Sequence, residues 1–337
     1  VLSRRQRQMC IRDRINPLYQ NIGNELELGQ LEHVTVIQSL WGGYGELVKL
    51  TFPQQTVVVK HVQLPKPSEH PRGWNIDRSH QRKLHSYQVE VSWYQDFSQA
   101  LDERCRIPRG LKCFQNEAEW LIVMEDLSQV GFPNVVKKAS KIQMQACLEW
   151  LANFHARYVG RRHDTLWQTG TYWHLDTRPD ELAVLQDDRL KRYAELIDRI
   201  LRQAQFQTLV HGDAKLANFC FNDDGSAVAA VDFQYVGHGC AMKDVALFMS
   251  SAVEPSECAE MESWVLDTYF AALTNALNHY QPQLDGEAVE QEWRPLFAVA
   301  WADFQRFVKG WSPGHWKINP YTESLTKRAL DYLDLKQ

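Results

Sequence analysis

No apolar run in this chain approaches the ~18 residues that a membrane-spanning helix needs, which excludes a helical membrane protein at the level of sequence. No C-x-x-C pair occurs among the seven cysteines, and their number is odd. A disulfide framework is therefore not expected, and free thiols in a reducing compartment are. Nor is there a basic excess: 37 Lys and Arg against 42 Asp and Glu give a formal charge of -5. That balance argues against nucleic acid or an anionic membrane as a general partner, and no obligate protein partner is evident. No apolar segment near the start resembles a secretion signal, so the expected location is cytoplasmic. Internal repeats and low-complexity tracts are missing too. What is present is the composition of a globular protein, 44% hydrophobic and 23% charged over 337 residues, long enough for one large bilobal unit or two domains.

Residues 1–14 stand apart. The stretch Ser3-Arg-Arg-Gln-Arg-Gln-Met-Cys-Ile-Arg-Asp-Arg14 is basic and lacks periodicity, and it is read as non-native or disordered and set aside.

The passage richest in chemistry is His211-Gly-Asp-Ala-Lys-Leu-Ala-Asn218, followed by Asp232-Phe-Gln234. The apolar runs 208–210 and 219–221 flank the first motif and leave its polar residues on a short connection. Asn222-Asp-Asp-Gly225 is a turn signal, and 227–233 reads as a returning strand, so the expectation is a β-hairpin with carboxylates at both ends. A hydroxyl attacks the γ-phosphate of a nucleotide only if its proton is taken up, Mg²⁺ is held on the phosphates, and the developing charge meets a cation. Asp213, Asn218, Asp232 and Lys215 are residue types that supply those functions.

Upstream, the pattern is β-rich. Strands are expected at 34–37, 46–52 and 56–60, with Trp41-Gly-Gly-Tyr-Gly45 between the first two. Gly42, Gly43 and Gly45 would let the backbone turn with positive φ and approach phosphate oxygens, although a plain tight hairpin has the same pattern. Lys60 ends a β-branched run, where a strand-borne ammonium reaches α- and β-phosphates; a solvated strand-end lysine is the alternative. A loop containing Pro65, Pro67 and Pro71 precedes a helix over 79–101, whose inward face carries Tyr87, Val91 and Tyr94 with Glu90 at its edge. Glu90 is expected to clamp Lys60; an ordinary helix-surface glutamate is the alternative. Strands at 110–114 and 120–124 lead into Glu125-Asp-Leu127, a candidate hinge whose backbone would meet an adenine edge.

Beyond residue 128 the periodicity is helical, at 139–158, 180–203, 258–277, 286–311 and 321–335. His155 lies on the broad apolar face of the first of these and is read as a core histidine. The fold class is α+β, with a β-rich N-lobe over 15–127 and a mainly helical C-lobe over 128–337.

On these residues the chain resembles the aminoglycoside phosphotransferase and choline kinase superfamily, and within it the ecdysteroid-kinase-like small-molecule kinases. The resemblance rests on His211-Gly-Asp213 with Asn218 and Asp232, supported by Lys60, Glu125-Asp-Leu127 and Asp244-Val-Ala246. It implies a protein-kinase-like bilobal fold and an ATP- and Mg²⁺-dependent transfer of phosphate to a small-molecule alcohol. It also implies Asp213 as base, Asn218 and Asp232 as Mg²⁺ ligands, Lys60 with Glu90 as the phosphate-positioning pair, and Lys215 steadying the transferring phosphate. His211 would brace the loop and Asp244 would tether its backbone. Gln234 departs from protein kinases, which carry a glycine there, and with no Ala-Pro-Glu anchor a protein substrate is not expected.

Three other classes fit parts of the pattern: a catalytically silent nucleotide-binding module, a hydrolase with a transition metal on His211, Asp213 and Asp232, and a scaffold protein with an aromatic surface. For a kinase, choline-like, aminoglycoside-like and steroid-like acceptors are all compatible with Trp264, Trp293, Trp301, Trp311 and Trp316, most of them read as core. Asp303, Glu290 and Glu292 are candidate partners for a cationic acceptor.

Overall fold

The computed structural model describes residues 16–63, 76–116 and 119–335. Residues 1–14 and the three prolines before the first long helix lie outside that range. The described residues fall into two compact units, one of 16–63 with 108–130 and the other of 76–107 with 131–335.

The first unit is β-rich. Helix α1 (Pro17–Glu25) starts where Asn16 Oδ1 accepts the Leu18 N–H at 3.0 Å, with Pro17 pre-set for the first turn. Strands β1 (His33–Ser39), β2 (Gly45–Thr51), β3 (Thr56–Gln63), β4 (Gly110–Gln115) and β5 (Glu119–Glu125) form one antiparallel sheet in the order β1-β2-β3-β5-β4. Alternation along the strands sends Val48, Leu50, Val57, Val59, Leu121 and Val123 to one face, where they pack with Tyr19 and Ile22 of α1. The same alternation puts Lys49, Val58, Lys60 and Ile122 on the other face. The glycine loop between β1 and β2 closes as a short helical turn, with φ of 72° at Gly42 and 77° at Gly43. Gly45, at φ 116°, is required by the sheet itself: a Cβ there would lie 2.0 Å from the His61 carbonyl oxygen.

The second unit is mainly helical. Helix α2 (Ile76–Ser92) runs into a wide turn at Trp93–Phe97, shorter than the helix expected over 79–101. The wide turn accompanies stacking of Trp93 on both Phe97 and Phe233. Helix α3 (Lys141–Tyr158) opens with a reciprocal Ser140/Gln143 cap. The periodic stretch 180–203 divides into α4 (Pro179–Val184) and α5 (Asp188–Gln203), because Asp187 accepts the Leu190 N–H and starts a new helix. Two short antiparallel ladders follow: β7 (Phe219–Phe221) with β8 (Val228–Ala230), and β6 (Thr208–Val210) with β9 (Gly237–Gly239). The returning strand expected over 227–233 stops at Ala230. Helices α6 (Met242–Ala252), α7 (Cys258–Tyr280), α8 (Gly286–Trp311) and α9 (Pro320–Asp334) complete the unit. No described helix is long and apolar enough to cross a membrane.

Candidate active site

Strands β6 and β7 are apolar and largely buried, so the polar residues between them are confined to one loop over 211–218. A residue in the first turn of α6 fixes that loop. Buried Asp244 accepts the backbone N–H of His211 on Oδ2 at 2.5 Å and that of Gly212 on Oδ1 at 2.9 Å. Gly212 has φ 80°, and a Cβ on it would lie 2.0 Å from the Tyr235 carbonyl oxygen, so no other residue fits. Further along, Ser251 of α6 accepts the Leu216 N–H at 2.9 Å.

Within the loop, Asp213 is buried and its two oxygens differ. Oδ2 lies 2.7 Å from Lys215 Nζ and 3.1 Å from Asn218 Nδ2, whereas Oδ1 is buried without a hydrogen-bond partner among the described residues. Burial pushes the Asp213 carboxyl up, Lys215 pulls it down and Asp232 pushes it up again, with a net upward shift. Lys215 is opposed by burial, but Asp213 and Asp232 hold its pKa above the ordinary lysine value. Asn218 Nδ2 also donates to the Asp213 carbonyl at 2.8 Å, which turns its Oδ1 away from Asp213.

His211 joins this loop to the segment that carries Asp232. Its Nδ1 accepts the Asp213 N–H at 3.2 Å, so Nε2 bears the proton and donates to the Val231 carbonyl at 3.0 Å. Burial lowers its pKa and favours that neutral form. With both nitrogens committed, His211 is not a metal ligand, which overturns the hydrolase expectation; among the described residues no group of three or more His, Cys, Asp or Glu side chains is arranged to hold a metal. Val231 N–H in turn donates to Asn218 O at 2.9 Å, and Asp232 leaves the strand at φ 70°. Gln234 donates to Asp232 Oδ1 at 2.7 Å, and its own Oε1 accepts from Lys83 Nζ at 2.8 Å and Ser86 Oγ at 3.2 Å. The residue that departs from the protein-kinase pattern thus links Asp232 to α2.

His155 is a core histidine as expected, and it also backs the site. Its Nε2 lies 3.1 Å from Asp244 Oδ2 and its Nδ1 2.8 Å from the Tyr269 hydroxyl. Lys83, Ser86 and Tyr269 were not singled out from sequence, since they have only the helical spacing of ordinary packing residues.

In the β-rich unit, Lys60 is buried on β3, and Glu90 is buried on α2 of the other unit. Glu125 Oε2 accepts the Arg109 N–H at 3.2 Å, and Leu127 is buried. Between them, Asp126 accepts from Lys49 at 2.8 Å, Thr56 Oγ1 at 2.7 Å and the Ser128 N–H at 3.0 Å. Burial pushes the Asp126 carboxyl up, but these hydrogen bonds outweigh it and hold its pKa below the usual range.

The carboxylates expected to meet a cationic acceptor are already engaged. Asp303 is buried against Arg306 at 3.0 Å, Trp173 Nε1 at 3.0 Å and Lys243 at 3.4 Å. Glu292 caps the Gln205 and Phe206 N–H groups, and Glu290 pairs with Arg294 at 2.7 Å. Trp293 and Trp301 are core, whereas Trp316 is 57% exposed.

A model described as the phosphotransferase enzyme family matches residues 78–280, more than half of the chain. Among solved structures, a microcompartment-associated aminopropanol kinase is 13% identical, covers 94% of this chain and 97% of its own, and superposes with a TM-score of 0.55. Aminoglycoside 2'-phosphotransferase-IIIa, solved with GDP, is 11% identical over 95% and 100% of the two chains, at 0.49. A choline kinase from Streptococcus pneumoniae is 14% identical over 95% and 100%, at 0.44. The first of these likenesses shows a shared fold. No curated protein matches the sequence.

Proposed function

Because this chain belongs to the phosphotransferase enzyme family and is a kinase of hydroxyl-bearing small molecules, we propose that it moves the γ-phosphoryl group of ATP to an alcohol with Asp213 as base. One observation carries the choice of base: Asp213 Oδ1 is buried and unpartnered while Lys215 and Asn218 fix Oδ2. A buried acceptor left open costs about 1–3 kcal/mol until a donor meets it. The hydroxyl of the acceptor is such a donor. Its proton passes to Oδ1 as the new oxygen–phosphorus bond forms, the bond from the γ-phosphorus to the β–γ bridging oxygen breaks, and ADP leaves. The upward shift of the carboxyl favours accepting that proton. Lys215 presents its ammonium to the phosphoryl oxygens as they gain charge.

Asn218 and Asp232 fit Mg²⁺, a cation that takes oxygen ligands. Asn218 commits its Nδ2 to Asp213 and keeps Oδ1 for such a role, and Gln234 holds Asp232 in one orientation. When bound, the ion would offset phosphate charge. Lys60, Glu90, the loop of Gly42, Gly43 and Gly45, and the backbone at Glu125 and Leu127 are assigned to the nucleotide. Of that loop, Gly42 and Gly43 are the stronger candidates, since Gly45 already has a structural reason. Cys105, Cys113, Cys147, Cys220, Cys240 and Cys258 are unbridged, which supports a cytoplasmic location. At this level the acceptor is a small-molecule alcohol, and the choline-like, aminoglycoside-like and steroid-like classes that the resemblance implies are left open.

The test is a panel of alcohols and amino alcohols with Mg²⁺ and ATP, read as acceptor-dependent ADP release and confirmed by product mass. Asp213→Asn is expected to lower turnover by ~10² or more. Full turnover in that variant at saturating substrate would refute the role of the base.

A further inference from the structure

The charge and aromatic surroundings of Asp213 bear on the acceptor. Resting on the phosphotransfer reading above, we propose that the acceptor is an alcohol carrying an oxyanion, a carboxylate or a phosphate monoester, and that Lys317 is the residue that selects it. Lys317 follows α8, with its backbone carbonyl held by Gln305 Nε2 and Thr322 Oγ1, both at 3.0 Å. Its Nζ donates to Ser250 Oγ at 2.9 Å, and the next residue, Ser251, holds the catalytic loop through the Leu216 N–H. The ammonium is thus positioned by the helix that positions Asp213. Its hydrogen-bond and ring partners are Ser250, Phe304 and Trp316, and no carboxylate forms an ion pair with it among the described residues. A half-buried cation that forms no ion pair among the described residues is a site for an incoming anion.

Two further observations oppose a cationic acceptor. Three of the aromatic faces that could receive a quaternary ammonium are already covered by the chain's own cations. Lys317 lies 5.1 Å from the Phe304 ring and 5.5 Å from Trp316, and Arg178 lies 4.8 Å from Phe307. The neighbouring carboxylates are also spent: Asp303 on Arg306 and Lys243, Glu181 on Arg178, and Asp180 on Arg78. Arg82 adds positive charge, donating to the Thr177 carbonyl and Ser79 hydroxyl and forming no ion pair among the described residues. Burial lowers the Lys317 pKa, Asp213 raises it and Lys215 lowers it, in keeping with the link through Ser250 and Ser251 to the catalytic loop.

The full chain is assayed with Mg²⁺ and ATP against hydroxyalkyl compounds that differ only in the distal group: carboxylate, phosphate monoester, trimethylammonium or methyl. Product formation is expected with the carboxylate or the phosphate compound, and these two arms decide between the sources of the oxyanion. Lys317→Met is expected to raise KM for that acceptor roughly 10- to 100-fold, with kcat and KM for ATP unchanged, and Lys317→Arg to recover most of the loss. Preferred turnover of the trimethylammonium or methyl compound, abolished by Asp213→Asn, would overturn this inference and leave phosphotransfer standing. An unchanged acceptor KM in Lys317→Met would also overturn it. Absence of product from every compound would remove the phosphotransfer reading together with the inference.

Discussion

Asp244→Asn tests the architecture of the catalytic loop with a change of only one atom type. Asp244 is fully buried, and its carboxylate accepts from three donors: His211 N–H at 2.5 Å, Gly212 N–H at 2.9 Å and His155 Nε2 at 3.1 Å. An asparagine offers one acceptor oxygen and one NH₂ group. His155 can adapt by exchanging its tautomer against the Tyr269 hydroxyl, but the two backbone donors cannot. Whichever way the amide is turned, one loop N–H faces a donor. The loss of one charge-assisted bond, with a buried donor left unmet, costs about 3 kcal/mol. For a chain of 337 residues that corresponds to a fall in melting temperature of roughly 4 °C. The loop would also shift Asp213, and a displacement near 1 Å lowers kcat by about 10²-fold. Differential scanning calorimetry and steady-state ADP release, measured below the variant's melting onset, separate the two effects. A variant that melts with the wild type and turns over at the wild-type rate would refute the assignment of Asp244 as the anchor of this loop.

Gln234→Leu removes the link between Asp232 and α2, and is expected to raise the Mg²⁺ concentration for half-maximal activity about 10- to 100-fold; an unchanged Mg²⁺ titration would count against Gln234 as a positioning residue. Gly45→Ala forces a Cβ to within 2.0 Å of the His61 carbonyl at φ 116° and should cost at least ~2 kcal/mol in urea unfolding. Gly43→Ala, at φ 77° with open space around the new Cβ, should cost only about 1 kcal/mol. Equal losses at both positions would contradict the sheet-contact argument. Burial lowers the Lys317 pKa to about 8, with Asp213 pulling up and Lys215 pushing down; Ser250, Phe304 and Trp316 are its uncharged neighbours. Since the charged form is lost as pH rises through that value, KM for an oxyanion acceptor should climb above pH 8 and stay flat in Lys317→Arg. A wild-type profile as flat as that of the arginine variant would dismiss Lys317 as the titrating group.

Much of the site was legible because its pieces are local. A short strand-forming run, an octet carrying four polar residues and a second short apolar run place His211, Asp213 and Asn218 at the mouth of a short ladder, and the Asn222-Asp-Asp-Gly225 turn brings the chain back toward them. Alternation likewise located the strands of the β-rich sheet, because a half-buried strand repeats every two residues. The helix expected over 79–101 ends instead at Ser92, since the stack of Trp93 on Phe233 joins residues far apart in the chain and leaves no local trace. The candidate acceptor carboxylates failed for the same reason: Asp303, Glu290 and Glu292 have the spacing of a solvated helix face, and their partners lie mostly outside that pattern.

By itself, then, the sequence determined which residue types stand on the catalytic loop and which segments are strand or helix, because both are set by periodicity and turn chemistry over a few neighbours. Only the tertiary structure decided how those groups are poised. The tautomer of His211 depends on Val231, the open oxygen of Asp213 on Lys215 and Asn218, the orientation of Asp232 on Lys83 and Ser86 through Gln234, and the uncompensated charge of Lys317 on what α6 and α8 bring beside it. Burial and hydrogen bonding between distant segments set protonation and direction, and neither is encoded in the spacing of one segment.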